Sequence, residues 1–245
     1  MTFHVIIPAR FASKRLKNKL LQDLGGISIL ERTYQRAVLA KPLSITIATE
    51  SEVIKDLALS FGANVMLTSG EHNSGTARIC EVVERLDFPP DTIVVNLQAD
   101  EPFMPSDFIT KVAAKLDSSS AEVATLVAPV KTLADFLSPS IVKVVLSAQD
   151  EALYFSRSPI PYCRDNPTYF QNSWRHFGIY AYRASFLRQF PNLTPSFIED
   201  IESLEQLRVI WHGYKIAVAK VEDRIGLEIN TQEELDEARS LLESM

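Results

Sequence analysis

Short apolar runs rich in β-branched residues alternate with segments whose apolar residues recur at helical spacing, and this alternation leaves the first half of the chain few architectures. FHVIIP (3–8), SITIAT (44–49), NVMLT (64–68) and DTIVVNLQ (91–98) are nearly continuously apolar, the pattern of strands covered on both faces. Between them, SILERTYQRAVLA (28–40), EVIKDLALSFG (52–62) and SGTARICEVVERL (74–86) read as amphipathic helices. A β-α-β-α order predicts an α/β fold with a doubly wound, mainly parallel sheet. In such sheets ligands bind beyond the carboxyl ends of the strands, and the loops at 8–19 and 99–105 both fall on that edge.

The rhythm changes near residue 122. EVATLVAPV (122–130), IVKVVLS (141–147), ALYFS (152–156) and RHFGIYAYR (175–183) follow one another with few helices between, which predicts antiparallel additions to the sheet. One long helix is expected at about 199–211, then a strand KIAVAKV (215–221). A terminal helix opens at NTQEELDEA, with Asn230 or Thr231 as N-cap and Glu234 or Glu233 in its first turn. With no repeat, linker or low-complexity segment, the expectation is one domain over 1–245 with a β-rich excursion around 122–185.

Several classes of function are disfavoured. Apolar runs fall short of the roughly 18 residues a membrane span needs, and the start MTFHVIIPAR lacks the features of a secretory signal, so a cytoplasmic location is expected. Cys80 and Cys163 lie far apart with no Cys/His cluster beside them, which indicates neither a disulfide framework nor a zinc site. A net charge of -6 argues against nucleic acid, whose binders present a broad basic face.

Against that acidic background, PARFASKRLKNK (8–19) gathers Arg10, Lys14, Arg15, Lys17 and Lys19 just after the first strand. Guanidinium groups offer planar donor pairs, ammonium groups offer compact charge, and Ser13 and the backbone add donors, so the loop suits a polyphosphate. It carries neither a P-loop nor a dinucleotide glycine pattern. NLQADEP (96–102) ends the fourth strand with Asp100 and Glu101, and a carboxylate facing a basic loop is well placed for Mg²⁺, which takes one or two carboxylates plus substrate phosphates. Together the two segments point to nucleoside triphosphate chemistry.

VIIPARFASKRL, HNSGTARI, VVNLQADEP, IVKVV, ALYFSRSPIPY, RHFGIYAYR and SLEQLRVIW resemble, in order and spacing, the signature segments of the 3-deoxy-manno-octulosonate cytidylyltransferase (CMP-KDO synthetase) family. The resemblance runs nearly the full chain. It implies a nucleotidyltransferase-type, Rossmann-like sheet with a mixed extension, and a homodimer that uses CTP and Mg²⁺ to activate the 3-deoxy-ulosonic sugar acid KDO for lipopolysaccharide, the excursion at 122–185 serving dimerisation. It further implies that Arg10, Ser13, Arg15 and Lys19 hold the triphosphate and that the backbone at Pro8 and Ala9 helps to read cytosine. Ser74, Gly75 and Thr76 would lie by the nucleotide, Arg78 would serve the sugar carboxylate, Gln98 would approach the sugar and Asp100 would bind magnesium. His176, Tyr180, Glu205 and Gln206 match positions that contact sugar hydroxyls, and Arg157 and Arg164 match basic positions near the same cleft. In the implied reaction Arg10, Arg15, Lys19 and Asp100 carry the catalysis, by positioning and charge neutralisation; no general base is assigned.

The chain departs from the family pattern in four places. RLKNKLL stands for the usual R-L-P-G-K-P-L, Lys14 replaces a small hydroxyl residue, and Ala99 replaces a glycine. Asn230 replaces the second metal-binding aspartate, although Glu228, on the same face if 227–230 is extended, offers a carboxylate nearby. Three readings follow: a KDO cytidylyltransferase, a cytidylyltransferase for a related sugar acid such as 8-amino-KDO, and a nucleotide- or sugar-binding paralogue without turnover.

Overall fold

The apolar runs become the strands of one sheet in the computed structural model, which describes residues 1–12, 16–222, 229 and 231–243. They are β1 (Phe3–Pro8), β2 (Ser44–Thr49), β3 (Asn64–Leu67), β4 (Ile93–Asn96), β5 (Val123–Pro129), β6 (Lys143–Leu146), β7 (Ala152–Ser156), β8 (Trp174–Arg183) and β9 (Ile216–Lys220). The order is β3-β2-β1-β4-β8-β5-β9, with β6 paired to β7 and β8. β1 runs parallel to β2 and β4, β2 to β3, and β5 to β9. β8 runs antiparallel to β4, β5 and β6, which makes the sheet mostly parallel with an antiparallel extension.

The helices are α1 (Ile29–Leu39), α2 (Glu52–Ser60), α3 (Gly75–Arg85), α4 (Ser106–Asp117), α5 (Leu133–Leu137), α6 (Ala184–Gln189), α7 (Phe197–Glu202), α8 (Gln206–Trp211) and α9 (Gln232–Glu243). Strand alternation divides the core in two. Val5, Ile7, Ile93 and Val95 face the cluster that holds α1, α2, α4 and α9, while Ile6 and Val94 face the cluster that holds α3, α6 and α8. Both faces of the sheet are therefore dry, which is why the strands read as continuous apolar runs. Ser28, Ser51 and Ser74 start α1, α2 and α3 by accepting from the backbone N–H three residues on.

The helix expected over 199–211 is two helices. Ser203 adopts φ 51, ψ 50, the left-handed region, and the break turns the chain so that Leu204 and Leu207 both enter the core beside α3. Glu199, which closes a capping box with Ser196, is also gripped by Arg208, 2.8 Å away at Nε, and this ties α7 to α8 across the break. α4 was not anticipated, although Phe108, Ile109, Val112, Ala113 and Leu116 repeat at helical spacing and are all buried. At α9, Thr231 Oγ1 accepts from Glu234 N at 3.3 Å and Glu234 Oε2 accepts from Thr231 N at 3.0 Å, so Thr231 and Glu234 form the cap.

Candidate active site

A cleft of about 530 Å³ opens at the carboxyl ends of β1 and β4, where the strand order switches direction. Past β1, Ala9 N donates to Ala48 O at 2.8 Å and Phe11 N donates to Glu50 Oε1 at 2.8 Å, anchoring the root of the basic loop while Arg10 lines the cleft. The loop returns through buried Leu16, and Asn18, where the family has glycine, turns it at φ 51, ψ 39. Asn is among the few L-residues that enter this region at small cost, so the turn survives loss of the Pro-Gly pair. Lys19 follows with its side chain 8% exposed, and its Nζ lies 2.7 Å from Oδ2 of Asp100, which is 40% exposed.

Asp100 sits just beyond β4. The preceding Ala99 keeps its backbone out of the left-handed region, and its carbonyl accepts from Thr33 Oγ1 at 2.9 Å, so its methyl group is accommodated without a glycine's freedom. Gly75, by contrast, sits where space is tight: a Cβ there would lie 3.2 Å from Pro8 Cγ and 3.6 Å from Gln98 Oε1. Its absence lets the N-terminus of α3, with unpaired N–H groups and a positive dipole end, close on β1. Gln98 Nε2 donates to Asn96 Oδ1 at 3.3 Å.

Arg78 is 4% exposed, lines the cleft and has both terminal nitrogens engaged. Its Nη1 donates to Thr68 Oγ1 at 2.5 Å and Ser69 O at 3.3 Å, and its Nη2 is 2.7 Å from Glu50 Oε2, an ion-pair contact without hydrogen-bond alignment. Glu50 thus links the basic loop to α3. Sequence reasoning missed it, although an acidic residue directly after the buried strand β2 was the available signal.

Beyond Gln98, Thr76 donates to Glu205 in a short hydrogen bond that joins the start of α3 to the start of α8. Tyr180, on β8 opposite Asn96, stacks on Tyr182 and meets the His176 ring at a tilt. Burial, with neighbouring Tyr182 and Glu205, pushes the Tyr180 hydroxyl well above the usual phenol range, and burial with Glu205 pushes the Cys80 thiol up to about 12. His176 Nε2 is 2.9 Å from Thr125 Oγ1 and its ring packs on Phe155; burial lowers its pKa to about 3. Gln206 is buried behind Glu205 at the first turn of α8.

The two remaining basic positions stand apart. Arg157 donates to the carbonyls of Glu202 at 2.7 Å, Pro139 at 2.9 Å and Ser203 at 3.4 Å, so it clamps the α7–α8 break. Arg164 is 90% exposed, pairs only with adjacent Asp165 at 3.0 Å among the described residues, and is absent from the cleft wall. Ser13, Arg15, Glu228 and Asn230 lie outside the described residues.

No group of three or more His, Cys, Asp or Glu among the described residues forms a metal cage. Asp100 would still suit Mg²⁺, a hard cation that takes one or two carboxylates together with phosphate oxygens and water.

A switch-point cleft with cations facing one carboxylate and a helix N-terminus defines an enzyme that handles nucleotide phosphates. The family model described as cytidylyltransferase matches residues 4–216. The 3-deoxy-manno-octulosonate cytidylyltransferase of Legionella pneumophila (strain Corby) is 48% identical over 95% of this chain and 93% of its own, and that of Halorhodospira halophila is 44% identical over 99% and 97%. A solved CMP:2-keto-3-deoxy-manno-octonic acid synthetase complexed with CTP superposes with a TM-score of 0.92 at 35% identity, covering 100% of this chain and 99% of that one. The chain belongs to the 3-deoxy-manno-octulosonate cytidylyltransferase family, within the wider class of CTP-dependent nucleotidyltransferases.

Proposed function

We propose that the chain transfers CMP from CTP to the anomeric hydroxyl of KDO, releasing pyrophosphate and supplying CMP-KDO for lipopolysaccharide synthesis. The observation that carries this reading is the full-length likeness to a synthetase solved with CTP, joined to a cleft whose Lys19–Asp100 pair stands at the same strand edge as the N-terminus of α3.

Arg10 and Lys19, with Ser13 and Arg15, bind the triphosphate; Pro8 and Ala9 abut the base, and the N–H groups at Ser74–Thr76 offer donors to the nucleotide. Asp100 holds Mg²⁺, with Asn230 and Glu228 as its remaining candidate ligands, and the ion when bound neutralises charge on the phosphoryl oxygens. Tyr180 remains a phenol and His176 a neutral imidazole at working pH, so both serve the sugar as neutral hydrogen-bonding groups and not as acid or base. Glu205 accepts from sugar hydroxyls, and Gln206 and Gln98 orient the acceptor. Attack on the α-phosphorus is in line, with acceleration from positioning and charge neutralisation.

The protein acts as a cytoplasmic homodimer, a reading supported by exposed Leu137, Leu153, Tyr162 and Tyr169 in the 122–185 excursion. Chromatography of reactions containing CTP with KDO, 8-amino-KDO or a nine-carbon ulosonate tests the acceptor. CMP-KDO as the main product is expected; CMP transfer to another acid in preference to KDO contradicts the proposal.

A further inference from the structure

The loop from β3 to α3 forms one wall of the cleft through His72, Asn73 and Ser74, and it is held by a carboxylate that no motif marks. Glu81, two turns into α3, accepts at Oε2 from Ser69 N at 2.9 Å and lies 2.6 Å from His72 Nε2. Its Oε1 accepts from Arg85 Nη1 at 3.1 Å, and the same Nη1 donates to Leu67 O at 2.5 Å. Glu81 therefore fastens both ends of the loop to the helix that follows it. Burial would raise its carboxyl, but the bonds from His72, Ser69 N and Arg85 outweigh this and hold it below the usual carboxylate range.

An ionised carboxylate only accepts, so the His72 proton facing it sits on Nε2. In the neutral imidazole Nδ1 is then an acceptor. It has no partner among the described residues, on a side chain that is 20% exposed and lines the nucleotide cleft.

We propose that Glu81 is a positioning residue and His72 a nucleoside-contacting one: Glu81 fixes the ring so that Nδ1 accepts a hydrogen bond from the base amine or the ribose 2′-hydroxyl. This rests on the CTP-dependent reading above. Neither residue takes part in the phosphoryl step, so their loss weakens nucleotide binding and spares turnover.

The test is calorimetric binding and steady-state kinetics of wild type, His72→Ala and Glu81→Gln with CTP, UTP and 2′-deoxy-CTP. In His72→Ala, Kd and KM for CTP rise about tenfold, the effect of one hydrogen bond of about 1.4 kcal/mol, while kcat at saturation stays within about twofold. The variant also loses selectivity against one of the other two nucleotides: UTP if the amine is the donor, 2′-deoxy-CTP if the hydroxyl is. Glu81→Gln shows the same split, adding it to His72→Ala produces no further loss, and imidazole ¹⁵N spectra show His72 leaving the pure Nε2–H tautomer. An unchanged CTP affinity in His72→Ala, a fall in kcat alone, or an equal loss for all three nucleotides overturns the proposal. His72 is partly exposed and its alanine variant keeps the fold, so it decides the matter if Glu81→Gln is unstable. If wild type binds CTP yet releases no pyrophosphate with KDO, the activity reading fails while the binding measurements still judge His72.

Discussion

Lys19 and Asp100 are 81 positions apart in the chain and 2.7 Å apart in space. Each segment was legible by itself, a basic loop after one buried strand and an acid after another, but no local pattern announces that two particular side chains will pair. The same holds for Glu50 with Arg78 and for Glu81 with His72, whose partners only the fold brings within reach. Lys19→Met and Asp100→Asn should each lower kcat/KM by roughly 100-fold, the scale of one preorganised electrostatic group, and Asp100→Asn should also raise the Mg²⁺ concentration for half-maximal rate; initial-rate assays check both. His176 gives a prediction about pH. Its folded pKa, about 3, lies below the unfolded value of 6.5, so between these values the unfolded chain binds more protons than the folded one. Its contribution to stability is complete above about pH 6.5 and is lost as pH falls toward 3. Thermal melts from pH 7 to 4 should show a declining Tm, with a shallower decline in His176→Gln.

At the scale of elements, the buried strands and the first three helices were readable because burial on two faces and on one stripe leave different periodicities. The α7–α8 break was not. Apolar spacing continues through it, and Ser203 carries no sign that it must adopt positive φ, as a glycine would have done. A left-handed residue with a Cβ is strained by roughly 1–2 kcal/mol. Ser203→Gly should therefore raise Tm, whereas Ser203→Val should lower stability by about 1 kcal/mol or more because a β-branched side chain fits that region worst; denaturant melts give both. Behind the break, fully buried Lys143 donates to Ser138 O, Ile141 O and Arg157 O at 2.6–2.7 Å, which compensates an otherwise costly charge. That use of a lysine is likewise invisible to pattern reading, which sees only one charge interrupting the apolar run IVKVVL.

For the whole molecule, the α/β class, the parallel half and the antiparallel extension were all predictable from the order of elements, because sequential strands joined by helices can close only a few topologies. The surface of the proposed homodimer was expected within 122–185, whereas part of the exposed apolar surface lies beyond that span, on α7 and α8. Leu153, Phe197, Ile201 and Trp211 are all exposed, and the last three sit on α7 and α8 with Phe197 edge-on to Trp211 at 5.3 Å. Sedimentation should give twice the chain mass, and Leu153→Glu should shift the population toward monomer; a wild-type monomer at micromolar concentration contradicts the homodimer.

The most direct test of the proposed activity is pyrophosphate release by the purified protein in a Mg²⁺ titration, with CTP and KDO supplied together or singly and with ATP, GTP and UTP in place of CTP. Release that requires CTP, KDO and Mg²⁺ together, and that the other nucleotides do not support, is the predicted result. Protein that binds CTP but releases no pyrophosphate at any Mg²⁺ concentration with KDO present would contradict it.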